Sequence, residues 1–259
     1  MQILHVIITH LAPELAVQHV ALAEAFTPGV PRLIAYGGPP AAFGALPWKD
    51  KFLLEDPSLR GPVIHQCFNE LFPKIWDWVR RQPVAFDAVH VTEYDHWILR
   101  ADYFAQLAEI LARSGADFLG KGCGVKTHTN WMHLFRYRED PVLLGYLRRF
   151  SVREDKAAIC GTLGNGFTIS RRALEAMAAL PDPPPIYNEV FFPTLTHHLG
   201  FQIADIGAFS DSFRHVRWGP LWTEAELVEL ARQGAACCHP FKDMAAAQRL
   251  LTPFAPASP

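Results

Sequence analysis

The sequence predicts one α/β domain in which a mostly parallel, mixed sheet lies between two layers of helices, a Rossmann-like three-layer arrangement. Short apolar runs alternate with segments of helical period along the chain of 259 residues. The strand-like runs are almost wholly apolar, which is typical of strands that are buried on both faces. With 50% hydrophobic and 19% charged residues, the chain can bury one large core. Because neither an internal repeat nor a Ser/Gly-rich linker divides it, we expect a single domain over residues 1–251 and a flexible Pro-rich tail over 252–259.

The first half of the chain alternates strands and helices in the order that this fold requires. "ILHVIIT" predicts the first strand, and the following helix begins at Pro13, a residue that the first turn tolerates. "PRLIAYGG" and "KFLLED" predict the next two strands. A helical pattern covers "HQCFNELFPKIWDWVRR", where Pro73 predicts a kink. "FDAVHVT" predicts the strand after it.

The second half carries clear helix boundaries. "ADYFAQLAEILARSG" predicts a helix that ends near Gly115, and Ser170 can cap the helix of "RRALEAMAAL". Thr223 and Glu226 form a capping-box pattern, with Gly234 at the end of that helix. "ADFLGKG" and "FQIADIG" predict two more strands. Residues 120–153 are polar, Arg-rich and aromatic and fit neither period, so we expect a mobile insertion near a site.

Composition excludes several classes of function. The net charge is −2 and Lys/Arg-rich tracts are absent, so we expect no nucleic-acid partner. The five cysteines form no CxxC pair, which argues against a disulfide framework or a zinc knuckle and favours a reducing compartment. The N-terminus lacks the features of a signal peptide, and no apolar run approaches the roughly 18 residues of a membrane span. We therefore expect a cytoplasmic protein, and its high content of Ala, Pro and Arg suggests a bacterial source.

Two carboxylates end the strand of "FDAVHVTEYD". Glu93 and Asp95 lie on the same side of an extended chain because side chains alternate with a period of two. Ligands of open α/β sheets gather at the carboxyl ends of strands. Carboxylate oxygens there suit Mg²⁺ or Mn²⁺, ions that commonly hold the phosphates of a substrate. A solvated acidic turn is the alternative, and the residues alone leave both open.

This arrangement resembles the GT-A class of glycosyltransferases, in which a D-x-D motif ends a strand and holds the diphosphate of a nucleotide sugar. The matching stretch is Glu93-Tyr94-Asp95, which departs from the motif by Glu in the first place. The resemblance implies that Asp95 binds the metal and that Glu93 contacts the ribose or a metal-bound water.

Three further stretches carry the resemblance, which spans roughly residues 3–243. "GTLGNGFTISRRALEAM" resembles the strand and helix on the acceptor side. "IYNEVFFPTLTHHLGF" resembles the segment that supplies an acid facing the acceptor, which implies Glu189 as the general base of an inverting transfer. "CCHPFKD" resembles a C-terminal segment that implies His239 as a metal ligand and Lys242 as a diphosphate contact. If the transfer retains configuration, Glu189 is not needed as a base.

Topology adds candidates for the nucleotide pocket. Thr9 ends the first strand, and Tyr36 and Gly37 end the second. Asp56 can hydrogen-bond a base or ribose from a strand-end loop, or it can be a turn acid before Pro57. Tyr36 can equally be a core residue.

Other assignments also stay open. His215 is the rival of His239 as a metal ligand, and Glu189 can instead be a first-turn helix acid. Trp97 and Trp218 are the tryptophans that neighbour candidate site residues and can stack on an acceptor.

The predicted function is a metal-dependent glycosyltransferase that uses Mn²⁺ or Mg²⁺, a nucleotide-sugar donor and a carbohydrate or other hydroxyl acceptor. A sugar-phosphate nucleotidyltransferase is one alternative, although "THLAPELA" lacks the Gly and basic residues usual after the first strand of that class. A non-catalytic nucleotide-binding relative is the other, and Glu at the first motif position is consistent with it.

Overall fold

The structure, a computed structural model, describes residues 1–55, 66–127 and 131–256 and confirms the predicted α/β architecture. In these ranges seven strands form one sheet: β1 (Ile3–Thr9), β2 (Arg32–Tyr36), β3 (Lys51–Leu53), β4 (Ala88–Glu93), β6 (Phe118–Gly120), β9 (Phe167–Ser170) and β10 (Ile203–Asp205). Their order in the sheet is β10-β6-β9-β4-β1-β2-β3. Of these strands only β9 is antiparallel to its neighbours, β4 and β6, so the sheet is mixed and mostly parallel.

Helices cover both faces of the sheet. The core on one face is built with α2, α4, α5, α6 and α7, and the core on the other with α1, α3, α8 and α9. The helices are α1 (Pro13–Phe26), α2 (Leu71–Val79), α3 (Tyr103–Ser114), α4 (Met132–Tyr137), α5 (Pro141–Phe150), α6 (Arg171–Ala178), α7 (Asn188–His198), α8 (Glu224–Arg232) and α9 (Met244–Leu251).

Strand β1 shows why its sequence is mostly apolar. Leu4, Val6 and Ile8 point into one core, whereas Ile3 and Ile7 point to the opposite face. All seven residues of β1 are buried. A central strand covered on both sides has little room for polar residues, which is the pattern expected of a parallel sheet.

Two short antiparallel ribbons accompany the large sheet. In one, β5 (Trp97–Ile98) pairs with β11 (Cys237–Cys238), and in the other β7 (Gly124–Val125) pairs with β8 (Cys160–Gly161). Trp97 is only 3% exposed, and its indole N–H donates to the carbonyl of Phe241 over 2.8 Å. Trp97 is therefore a core residue, and the expectation that it stacks on an acceptor is wrong. The β5–β11 ribbon brings the chain after Cys238 beside the turn that follows β4.

Two sequence-based expectations about local structure were wrong. Helix α2 begins at Leu71, so Pro73 lies in its first turn, where its missing N–H breaks no intrahelical bond and no kink is needed. Residues 120–153 are not a mobile insertion in the part that the structure describes, because α4 and α5 occupy it and both pack on α7. Their short lengths of 6 and 10 residues gave too few turns for a clear helical period.

The chain remains packed on the core beyond residue 251, after which a flexible tail was predicted. Residues Thr252–Phe254 form a 3₁₀ turn, and Phe254 packs partly buried against the core. Residues 257–259 lie outside the described ranges. No helix within those ranges is long and apolar enough to cross a bilayer.

A buried carboxylate fixes the reversed strand. Asp117, 2% exposed, precedes β6 and accepts hydrogen bonds from the Ser170 hydroxyl (2.7 Å) and from the Arg172 guanidinium (2.6 and 2.7 Å). The backbone N–H of Gln202 donates to the same carboxylate. Burial alone would raise the pKa of Asp117, but these donors outweigh it and lower that pKa. One side chain thus joins β6, β9 and the residue before β10.

We expect Asp117→Ala to lower the free energy of unfolding by about 2–4 kcal/mol, because three donors lose a buried charged acceptor. The matched control is Asp77→Ala, which removes an exposed ion pair with Arg80 and should cost less than about 1 kcal/mol. Urea unfolding of the two variants measures both values. Equal losses would show that Asp117 does not hold the strands together.

Candidate active site

A cleft of about 250 Å³ opens at the carboxyl end of β4 and collects the charged residues that the sequence singled out. It is built from the turn after β4, the loop before β9, the start of α7 and the segment after β11. The predicted site residues that line it are Glu93, Asp95, Glu189, His239 and Lys242.

Asn165 holds the two acids of the motif in place. Its side-chain amide donates to Asp95 Oδ1 over 3.2 Å, and its side-chain oxygen accepts the backbone N–H of Glu93 over 3.0 Å. Asn165 reaches them because β9 begins two residues later and pairs with β4. Sequence reasoning missed this residue, and its only signal was a polar side chain in the Gly-rich "GTLGNG".

His239 faces Asp95 with its Nε2 atom, 3.4 Å from Asp95 Oδ1. Its Nδ1 atom lies 3.0 Å from the carbonyl oxygen of Arg217. A carbonyl only accepts, so Nδ1 carries the hydrogen, and in the neutral ring Nε2 presents a lone pair. Two lone-pair atoms at this distance repel unless a proton or a metal cation lies between them.

Lys242 adds a positive charge beside the same carboxylate. Its Nζ lies 4.0 Å from Asp95 Oδ2, and its side chain is about half exposed to the cleft. Burial by itself would raise the pKa of Asp95. Without a cation between them, a proton on His239 Nε2 supplies a hydrogen bond and a charge that, together with the charge of Lys242, outweigh burial and lower that pKa. Asp95 is therefore an anion although it is only 4% exposed.

Glu93 behaves in the opposite way. Burial, followed by the charges of Asp95 and Glu189, raises the pKa of Glu93 to about 8, and Lys242 offsets only part of this. Carboxylates crowded into one cleft cannot all ionise without a compensating cation. A bound cation would lower the pKa of Glu93.

Glu189 sits in the first turn of α7, where the helix dipole favours an anion. Its Oε1 accepts the backbone N–H of Gly164 over 2.7 Å. A Cβ on Gly164 would lie 2.7 Å from Glu189 Cγ, so only glycine allows this close approach. Burial raises the pKa of Glu189, although the Gly164 N–H and the Tyr187 hydroxyl oppose the shift. Its other oxygen, Oε2, lies 4.0 Å from His133 Nε2.

The loop before α8 contributes three residues, Arg217, Trp218 and Leu221, to the rim of the cleft. Trp218 is 83% exposed there. Arg217 stacks over Trp222, with 3.4 Å from guanidinium to ring centroid, and its Nε donates to the carbonyl of Pro220. Trp218 thus stands on a loop that is held by its own contacts. Arg217 was missed by sequence reasoning, which considered only His215 and Trp218 in "FRHVRWGP".

Three of the remaining candidates, Thr9, Tyr36 and Gly37, do not line this cleft. Thr9 and Tyr36 are fully buried at the ends of their strands, Tyr36 packs against Phe43, and Gly37 donates its N–H to the Thr9 carbonyl. Their role in binding a nucleotide stays a prediction. Asp56 lies outside the described residues.

His215 is not part of the cleft. Its ring packs against Trp222, and it lines a separate surface groove with Asp211 and Arg214. The geometry thus favours His239 over His215 as the partner of Asp95.

Asp95 and His239 are the side chains of this cleft that could hold a divalent cation. Within the described residues no group of three or more His, Cys, Asp or Glu side chains forms a complete metal site. Asp95 and His239 nevertheless fit two neighbouring ligand positions, one oxygen and one nitrogen, and the hydrogen bond from His239 Nδ1 to a carbonyl is the usual support of a ligating imidazole. Two protein ligands leave positions open for water and phosphate oxygens, as is common for Mg²⁺.

Comparison with known proteins yields similarity among solved structures alone. No family model matches the sequence, and no curated protein matches it either. The galactosyltransferase LgtC, solved with donor and acceptor sugar analogues, aligns with 100% of this chain and 98% of its own at 12% identity and a TM-score of 0.45. Glucosyl-3-phosphoglycerate synthase from Mycobacterium tuberculosis, solved with phosphoglyceric acid, aligns with 79% of this chain and 69% of its own at 14% identity and a TM-score of 0.42.

We expect Glu93→Gln to stabilise the metal-free protein at alkaline pH. Folded Glu93 keeps its proton up to a pH of about 8, whereas in the unfolded chain it loses it near 4.5, so the folded state binds more protons in this window. Stability should therefore fall as pH rises from 4.5 to 8 in the wild type, and Glu93→Gln should remove that part of the slope.

Thermal unfolding in the presence of a chelator, across this pH range, measures the difference. The exposed helix residue Glu175, changed to Gln, serves as the control and should leave the slope unchanged. A parallel pH profile for wild type and Glu93→Gln would contradict the crowding of the three carboxylates.

Proposed function

We propose that this protein is a divalent-cation-dependent glycosyltransferase that moves a sugar from a nucleoside-diphosphate donor to a hydroxyl acceptor. The observation that carries the proposal is the pairing of Asp95 Oδ1 with His239 Nε2 at 3.4 Å, with the hydrogen of His239 committed to the Arg217 carbonyl. We call this pair of atoms, which a cation would bridge, the cation seat. Lys242 and the buried Glu189 line the same cleft.

Asp95 and His239 would hold the cation, Mn²⁺ or Mg²⁺, of which Mn²⁺ suits the imidazole ligand better. Bound there, the cation would neutralise the charge that develops on a diphosphate as it leaves. Lys242 supplies a fixed positive charge for the same phosphates. The bound cation would lower the pKa of Glu93, and its carboxylate would then accept a hydrogen bond from the donor ribose or from water in the cleft.

Glu189 would act on the acceptor. Its carboxylate, which accepts the Gly164 N–H at Oε1 and also bonds the Tyr187 hydroxyl, would take the proton of an acceptor hydroxyl. The hydroxyl oxygen would attack the anomeric carbon as the bond from that carbon to the diphosphate breaks. The raised pKa of Glu189 makes it a stronger base than an exposed carboxylate. This role belongs to a transfer that inverts configuration.

We expect Asp95→Asn to abolish Mn²⁺-dependent binding of nucleoside diphosphates. The affinity of this variant for a nucleoside diphosphate with Mn²⁺ should fall about 100-fold or more. Losing even an outer hydrogen-bond partner of a metal ligand lowers metal affinity roughly 10- to 100-fold. Isothermal titration of nucleoside diphosphates with and without Mn²⁺ measures this loss. Asp155→Asn, an exposed carboxylate outside the cleft, is the control. Unchanged affinity in Asp95→Asn would show that Asp95 does not hold a cation.

We expect Glu189→Gln to separate binding from transfer. The Gln oxygen can still accept the Gly164 N–H, so donor affinity should stay close to that of the wild type. Transfer to acceptor should fall roughly 10²- to 10⁴-fold, the usual contribution of a general base. Product formation from a nucleotide sugar, with Glu175→Gln as the control, measures it. Wild-type transfer rates would show that Glu189 is not the base.

A further inference from the structure

Helices α4 and α5 expose apolar side chains on their outer surface. Met132, Phe135 and Val142 are 63%, 56% and 54% exposed. Met132 and Phe135 lie three residues apart and share one side of α4. We call the exposed side of these two helices, over residues 132–150, the α4–α5 face. Clustered exposed apolar residues of this size commonly mark a binding surface.

The same face is basic although the whole chain has a net charge of −2. Asp140, one of its two acids, caps α5 by accepting the N–H groups of Val142 and Leu143. The other acid, Glu139, lies 3.3 Å from Arg138. Within the described ranges no carboxylate lies within 4.0 Å of the other three arginines of the face. These are Arg136, Arg148 and Arg149.

The α4–α5 face extends along α7 and ends beside the candidate active site. The inner side of α4 carries His133, whose Nε2 lies 4.0 Å from Glu189 at the start of α7. At the other end of α7, the backbone N–H of Val152, just after α5, donates to the carbonyl of His198 over 2.8 Å. Since α7 has 11 residues, the face runs for about 16 Å from the cleft.

We propose that the α4–α5 face docks on the surface of an anionic lipid bilayer. Its apolar side chains would enter the boundary between headgroups and acyl chains, and its arginines would meet lipid phosphates. An arginine near an anionic bilayer strengthens partitioning roughly fivefold, so the three unpaired ones together contribute about 100-fold. This proposal does not depend on glycosyl transfer. If transfer occurs as proposed above, Glu189 would work close to the headgroups.

Co-sedimentation of the full chain with phosphatidylcholine vesicles, with and without phosphatidylglycerol, tests the proposal. We expect binding to the vesicles that contain phosphatidylglycerol, weakened by high salt. The triple variant Arg136→Gln, Arg148→Gln, Arg149→Gln should bind roughly 100-fold more weakly. A matched triple variant changes Arg81, Arg113 and Arg232 to Gln, which removes the same charge from exposed positions elsewhere, and it should bind like the wild type.

The apolar contribution has its own pair of variants. Phe135→Ser should weaken vesicle binding at every salt concentration, because salt does not screen the hydrophobic gain from burying the Phe135 ring in the bilayer. Val84→Ser, which alters a side chain 49% exposed outside this face, should not. Both changes are at exposed positions, and thermal unfolding verifies that each variant is folded.

Three results would overturn the proposal. Wild-type protein that stays in the supernatant with both kinds of vesicle has no lipid-docking face. Equal losses for the two triple variants would assign binding to overall charge rather than to this face. A dimer seen by sedimentation velocity that Phe135→Ser dissociates, without vesicle binding, would assign the face to a second copy of the chain. Nucleotide titration of the same samples reports the cation seat separately, so failure of one proposal leaves the other measurable.

Discussion

Three carboxylates share one cleft, and most of the surrounding structure can be understood as a response to their mutual repulsion. Glu93, Asp95 and Glu189 all line it, and burial raises the pKa of two of them. Each has a different compensation. Asp95 lies beside the positive charge of Lys242 and beside His239, which is positive only when protonated, whereas Glu189 has a backbone N–H and a helix N-terminus. Glu93 has the least compensation and holds a proton instead. Because the carboxylates repel one another, a ligand that brings positive charge would stabilise this cleft most.

The fold creates this cleft from segments far apart in the chain. Strand β4 delivers Glu93 and Asp95 to the carboxyl edge of the sheet, the region where open α/β sheets bind ligands. Reversed strand β9 places Asn165 beside them, and the β5–β11 ribbon places His239 opposite Asp95. Asp117 matters to the same cleft because it fastens β9 to its neighbours at the other end of that strand. Strand pairing therefore determines where these side chains lie, and their placement determines which groups can act together in the cleft.

Much of the framework was predictable because long periodic segments have few alternatives. The bounds of β1 and α1 match their sequence patterns, and the capping box of Thr223 and Glu226 forms as its spacing predicts. The convergence of Glu93, Asp95, Glu189, His239 and Lys242 was expected only through the family resemblance. Residues acting through tertiary pairing were not predictable: Asn165 depends on the register of β9 against β4, and the two-residue pairing of β5 with β11 has no periodic signal. The orientation of the His239 ring depends on a carbonyl 22 residues away in the chain.

The most direct test of the central claim is pulsed electron paramagnetic resonance of Mn²⁺ bound to the protein together with a nucleoside diphosphate. We expect modulation from one directly coordinated imidazole nitrogen, because Nε2 of His239 faces Asp95. This modulation should be lost in His239→Ala and retained in His215→Ala, since His215 lies outside the cleft. A Mn²⁺ signal without nitrogen coordination, or one that His239→Ala leaves unchanged, would contradict the cation seat between Asp95 and His239.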